Sequence, residues 1–99
     1  MSRSDYPAAA GRNARWAIIQ NWTLAANGKR KAGTPIGWAR ARQLSRGAPL
    51  SELTIRRTYA YLSRARPLAT RGTYTRASIA FNLWGGDAML EWIKKTYRP

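Results

Sequence analysis

The chain has 99 residues, with 18 Lys+Arg against 4 Asp+Glu and a formal net charge of +14. It contains no Cys and no His, which excludes disulfide and thiolate-metal scaffolds and removes the usual general base and the commonest metal ligand. This length suits one small domain, and a 44% hydrophobic content with five Trp gives that domain apolar surface to bury.

Residues 1–5 read as a flexible N-terminus without the apolar stretch of a signal peptide. Residues 6–99 read as a single helical domain, because the apolar spacing is helical and no alternation predicts strands. The first helix spans Pro7 to Ala26, with Pro at its start and Asn27-Gly28 after its end. Its predicted buried stripe is Ala14, Ile18, Trp22 and Ala25, widened by Ile19 and Ala26. A basic loop follows, Lys29 to Pro35, in which Lys29–Lys31 read as a flexible arm. The second helix spans Ile36 to Arg46, with Trp38, Ala41 and Leu44 inward. Ser51 is the expected N-cap of a third helix from Glu52 to Ala65, stopped by Pro67. A polar connection of Leu68 to Arg76 leads to a final helical segment, interrupted at Gly85-Gly86 and ending near Tyr97.

The expected fold is therefore all-α, a compact bundle of four to five short helices. Its predicted core is Ile18, Trp22, Trp38, Leu44, Ile55, Leu62, Ile79, Leu83, Trp84 and Ile93. At least three of Trp22, Trp38, Trp84 and Trp92 belong in that core by their apolar neighbours.

Charge carries the functional reading. Of the 18 cations, 14 are Arg, whose planar fork matches phosphate oxygens and stacks on bases. Residues 38–64, a helix, a Gly-containing turn and a second helix, have the pattern of a helix-turn-helix-like pair. In that arrangement Thr54, Arg56 and Arg57 approach base edges, while Arg40, Arg42 and Arg46 approach the backbone. Lys29, Arg30, Lys31, Arg64, Arg71 and Arg76 add phosphate contacts, and Tyr61 and Tyr74 are the candidate exposed stacking rings. No catalytic constellation is present: Ser51 has no His or Cys chemistry beside it, and the Asp87/Glu91 pair reads as a helix cap plus a partner for Lys94 or Lys95. No cofactor and no metal are expected. The leading function is non-catalytic, sequence-tolerant binding of nucleic acid. Two alternatives remain open: a minor virion protein that binds acidic protein surfaces, and a cationic Trp-rich protein acting on anionic membranes.

Three stretches in this order, YPAAAGRNARWAI, GTPIGWARARQLSRGAPLSELTIRR and IAFNLWGGDAMLEWIKK, resemble a small module that recurs in bacteriophage virion-associated and packaging-associated proteins. The resemblance covers most of residues 6–99 and implies a phage origin and a virion-associated protein, but no settled biochemical activity; with the nucleic-acid reading, the expected partner is DNA more than RNA and the expected location is the host cytoplasm or the virion. It brings no catalytic residue with it. Many such modules carry a His near the end of the third helix, where this chain has Arg66.

Overall fold

In the computed structural model, which describes residues 2–97, the longest helix is α1, Ala8–Ala26. Its buried residues are Ala10, Gly11, Ala14, Ala17 and Asn21. This stripe is rotated from the expected one. Ile18 is only partly buried, Ile19 is 52% exposed and Trp22 is 59% exposed. The reason is proximity: α1 packs against three other helices, and only small side chains let backbones come this close. A Cβ at Gly11 would lie 2.7 Å from the Leu44 carbonyl oxygen, so the helix presents its Ala/Gly ridge inward and its bulky side chains outward. The C-terminus closes with Gly28 N–H on Ala25 O (3.1 Å) and Lys29 N–H on Leu24 O (2.8 Å), a Schellman motif with Gly28 at φ 74°.

The second helix, α2, spans Pro35–Ser45. Thr34 caps it by accepting from the Gly37 N–H at 3.2 Å. It ends in a second Schellman motif, with Gly47 at φ 67° and Ala48 N–H on Gln43 O at 2.9 Å. The third helix, α3, spans Glu52–Ala69. Ser51 caps it as expected, accepting from the Thr54 N–H at 3.2 Å. Pro67 does not stop it but sits inside its last turn; it removes one N–H and crowds the carbonyl four residues back, and only two helical residues follow it. The polar connection is correspondingly shorter than expected.

Two short helices complete the bundle: α4, Arg76–Leu83, capped by Thr75, and α5, Gly86–Tyr97. Between them Gly85 and Gly86 have φ of 102° and 62°. A Cβ on Gly85 would lie 2.6 Å from the Met89 Cβ, and the Gly85 carbonyl accepts from Asn13 Nδ2 at 2.9 Å. The helix starts at Gly86, so Asp87 lies within its first turn rather than capping it.

α1 packs on α2, α4 and α5, while α3 packs on α4 and α5. The architecture is the expected all-α bundle, with five helices among the described residues. The helix-turn-helix-like pairing is not formed, since α2 and α3 each pack on other helices and share almost no direct backbone contact. Leu44, Ile55, Leu62, Ile79, Leu83, Trp84 and Ile93 are buried as expected. Trp38 and Trp92 are only partly buried, so of the four tryptophans of which at least three were expected in the core, Trp84 alone is buried. The leader also differs from expectation. Ser2–Arg3 forms a strand, β1, that pairs antiparallel with β2, Leu50–Ser51. Arg3 pairs with Asp5 and lies 5.5 Å and 5.4 Å from the ring centroids of Trp92 and Tyr97. Met1 and residues 98–99 of the expected boundaries lie outside the described residues.

The Gly85–Gly86 junction yields a stability prediction. An L side chain at φ 102° is strained by about 1–2 kcal/mol, and the contact with Met89 adds overpacking of about 1–3 kcal/mol. Gly85→Ala should therefore lower Tm by about 10 °C or more in thermal unfolding followed by circular dichroism.

Candidate nucleic-acid interface

Each of the four carboxylates is engaged by one cation. Asp5 takes Arg3, Glu52 Oε1 takes Arg56 Nη2 at 3.3 Å, Asp87 Oδ1 takes Arg66 Nε at 2.8 Å, and Glu91 Oε1 takes Lys94 Nζ at 3.7 Å. Hydrogen bonding from Arg3 holds the Asp5 carboxyl below the usual carboxylate range. These pairs are exposed and contribute little stability, but they decide where positive charge is left without compensation.

One uncompensated region is a groove between α1 and α2, with a volume of about 720 Å³. Ile18, Ile19 and Trp22 line it from α1, and Pro35 and Trp38 from α2. Its cations are Arg15, Lys31 and Arg42, and none of its lining residues is acidic. Trp38 orders two of them: Lys31 Nζ lies 5.1 Å and Arg42 Cζ 5.9 Å from its ring centroid, within cation–π range. Arg15 is held by its own donation from Nη1 to the Ser45 carbonyl at 2.9 Å, near the C-terminus of α2, where a cation meets the negative end of the helix dipole. Arg15, Ser45 and Arg46 also share a neighbouring depression with Tyr6.

The loop that carries Lys31 is tethered rather than a free arm. Buried Asn21 accepts from the Ala32 N–H at 2.6 Å and donates to the Ala32 carbonyl at 3.2 Å. Arg76 reaches across from the start of α4, donating through Nη1 to the Arg30 carbonyl and through Nη2 to the Lys31 carbonyl at 2.6 Å. Arg76 was expected to contact phosphate; its guanidinium is instead occupied by main-chain oxygens, and its role is to fix the loop.

A second cationic cluster joins α2 to α3. Tyr61 stacks on Trp84, with ring centroids 4.6 Å apart and planes 16° apart, so its ring is partnered inside the protein and is not the free stacking surface expected of it. Arg40 lies over the same Trp84 ring at 5.5 Å and donates to Gln43 Oε1. Its Nε is buried without a partner. Burial, and secondarily the nearby Arg57, push the Arg40 guanidinium pKa down. Arg57 and Arg64 are seven residues apart and so share one exposed face of α3.

The remaining expected contacts fall elsewhere. Thr54 accepts from the Ser51 hydroxyl at 2.9 Å within the α3 cap, and Arg56 is tied to Glu52. Lys29, Arg30 and Arg71 are exposed in connections. Tyr74 is 71% exposed and tilts against Trp16 with centroids 5.9 Å apart. The thirteen expected residues thus do not share one surface, and the groove adds Arg15 and Trp22, which the sequence reading had placed outside any site or in the core. Among the described residues no cluster of three or more acidic side chains could hold a metal. No protein-family model matches this chain, and neither a curated protein nor a solved structure matches it.

Two predictions follow from these contacts. Burial raises the Tyr61 phenol pKa, with Arg64 acting in the opposite direction, and burial likewise raises that of Tyr6, whose hydroxyl donates to the Ala48 carbonyl at 2.6 Å. A raised folded-state pKa means stability fully present below the unfolded value of about 10 and lost as pH rises through the folded value. The denaturant midpoint should therefore hold steady up to about pH 10 and fall above it, and a Tyr61→Phe variant should show a shallower fall. For the loop, hydrogen bonds to a charged donor contribute about 1.5–3 kcal/mol each. Arg76→Ala should thus speed amide exchange at Ala32 roughly tenfold or more, while exchange within α5 stays unchanged.

Proposed function

We propose that this protein binds nucleic acid without catalysis, gripping the phosphate backbone along the α1–α2 groove. The observation that carries this reading is the separation of charge. Among the described residues every carboxylate is engaged in an ion pair away from the groove, while Arg15, Lys31 and Arg42 gather there with no acid among them. Two of these cations are ordered by an indole ring and one by a carbonyl, so less side-chain entropy is lost on contact with a phosphate. Arg46 extends the same edge, and Arg40, Arg57 and Arg64 supply further contacts from the α2–α3 side. Base reading by the start of α3 is not part of this proposal, because Thr54 and Arg56 are engaged locally and α2 and α3 do not pack as a groove-reading unit. Contacts to phosphate carry no sequence information, so binding is sequence-tolerant. We take DNA as the polymer, handled in the host cytoplasm or the virion, in keeping with the phage origin that the resemblance implies. Among the described residues no helix is long and apolar enough to cross a membrane.

The test is a salt titration of binding to DNA. Arg15, Lys31, Arg42 and Arg46 alone give a slope of log K against log salt of about −3, and with Arg40, Arg57 and Arg64 it steepens to about −5 or −6. Replacing both Lys31 and Arg42 with Ala should make that slope shallower by about 1.5, whereas Arg56→Ala, already neutralised by Glu52, should leave it nearly unchanged. Binding that ignores salt, or a double variant that binds like the parent protein, overturns the proposal. Capture by acidic protein surfaces in preference to DNA points instead to a virion-protein partner.

A further inference from the structure

We infer that the α1–α2 groove is a subsite for an unpaired nucleobase, which makes single-stranded nucleic acid the preferred ligand; this rests on the nucleic-acid reading above. Phosphate contacts alone need only a cationic surface. The groove offers more, because its cations share it with an apolar floor of Ile18, Ile19 and Pro35 and with Trp22. Trp38 already has Lys31 and Arg42 against its ring, whereas Trp22 is 59% exposed and has no aromatic or cationic ring partner among the described residues. A volume of about 720 Å³ is in the range of small-molecule pockets, with room for a base laid against the indole.

Duplex DNA keeps its bases stacked and presents phosphates and base edges, so it has nothing to put on an apolar floor. A single strand can turn a base out onto an aromatic ring while its flanking phosphates meet cations on either side. The cations that line the same groove are Lys31 and Arg42, beside Trp38, and Arg15, held on the Ser45 carbonyl. Stacking of a base on Trp22 is sequence-tolerant, because every base has a flat face. A peptide with acidic side chains or an anionic bilayer would meet the same charges, but neither supplies a flat ring flanked by repeating anions.

The experiment compares fluorescein-labelled oligothymidylate with a duplex of equal length by fluorescence anisotropy, for the parent protein, Trp22→Ala and Trp22→Phe. Trp22 is exposed, so the helical circular dichroism should be unchanged in both variants. The expected result is tighter binding of the single strand, weakened by about 5- to 100-fold in Trp22→Ala and largely restored in Trp22→Phe. Duplex affinity and its salt slope should be the same in all three proteins. Equal effects of Trp22→Ala on both probes, or none on the single strand, overturn the base subsite while leaving salt-dependent binding to phosphate standing. No salt-dependent binding to either probe overturns both readings. Phosphatidylglycerol vesicles and polyglutamate serve as competitors, and displacement of the single strand by either at equal anion concentration also overturns the base subsite.

Discussion

The close approach of α1 to its neighbours through Ala10, Gly11, Ala14 and Ala17 is the constraint on which the rest of the structure depends. A helix of nineteen residues that touches three others can do so only along a ridge of small side chains. At Gly11 the partner is a backbone carbonyl, which cannot turn aside as a flexible side chain would. Once that ridge faces inward, helix geometry dictates the remainder. Ile18, Ile19 and Trp22 must lie toward the outside, and because α2 crosses beside them they become one wall of a groove. The groove is thus a by-product of backbone packing, and the same helix that organises the core supplies the apolar floor.

Charge placement depends on tertiary tethers of the same kind. Asn21 is buried at the end of the ridge and makes two hydrogen bonds with Ala32, so the basic loop is fixed to the core at one point. Arg76 fixes it at two more. Together they set Lys31 over Trp38. One exposed arginine is tied to main-chain carbonyls, and a lysine is thereby held in a defined place. A net charge of +14 on a small body is self-repulsive, and among the described residues only four ion pairs offset it. The repulsion falls when a polyanion is bound, so the groove's cations and the folding equilibrium are linked by mass action.

Local chemistry was legible in the sequence, and tertiary geometry was not. The Ser51 cap, the Asn27-Gly28 end of α1 and the break at Gly85-Gly86 are written in side chains that act within one turn of themselves. The rotation of α1 is not, because a reading by hydrophobicity ranks Ile18 and Trp22 above Ala17 and Gly11, whereas packing ranks by size. Pro67 misled for a related reason: its cost depends on how near the helix end lies, which Ala69 and Thr70 decide. The β1–β2 pairing joins residues about fifty apart in the chain, and two-residue strands leave no alternation to detect. For the site, Lys31 and Arg42 were legible as exposed cations. Arg15 and Trp22 were not, since their relevance comes from the position of α2, and Arg76 appeared free because its partners are carbonyls forty-five and forty-six residues away.

Local rules are broken in this fold at particular places. Arg40 keeps a buried Nε without a partner and stands beside Arg57, a like charge, over Trp84. Trp22 and Ile19 leave large apolar surface in water. Each is unfavourable for the isolated chain, and a chain selected for stability alone would place Leu or Gln at the first and a polar residue at the second. Natural sequences are consistent across levels except where function requires otherwise. An anion at Arg40 and Arg57 would remove the like-charge penalty, and a ring against Trp22 would remove the exposed apolar surface. A polymer alternating anions with flat rings would relieve both kinds of penalty, whereas a surface that is only acidic or only apolar would relieve one.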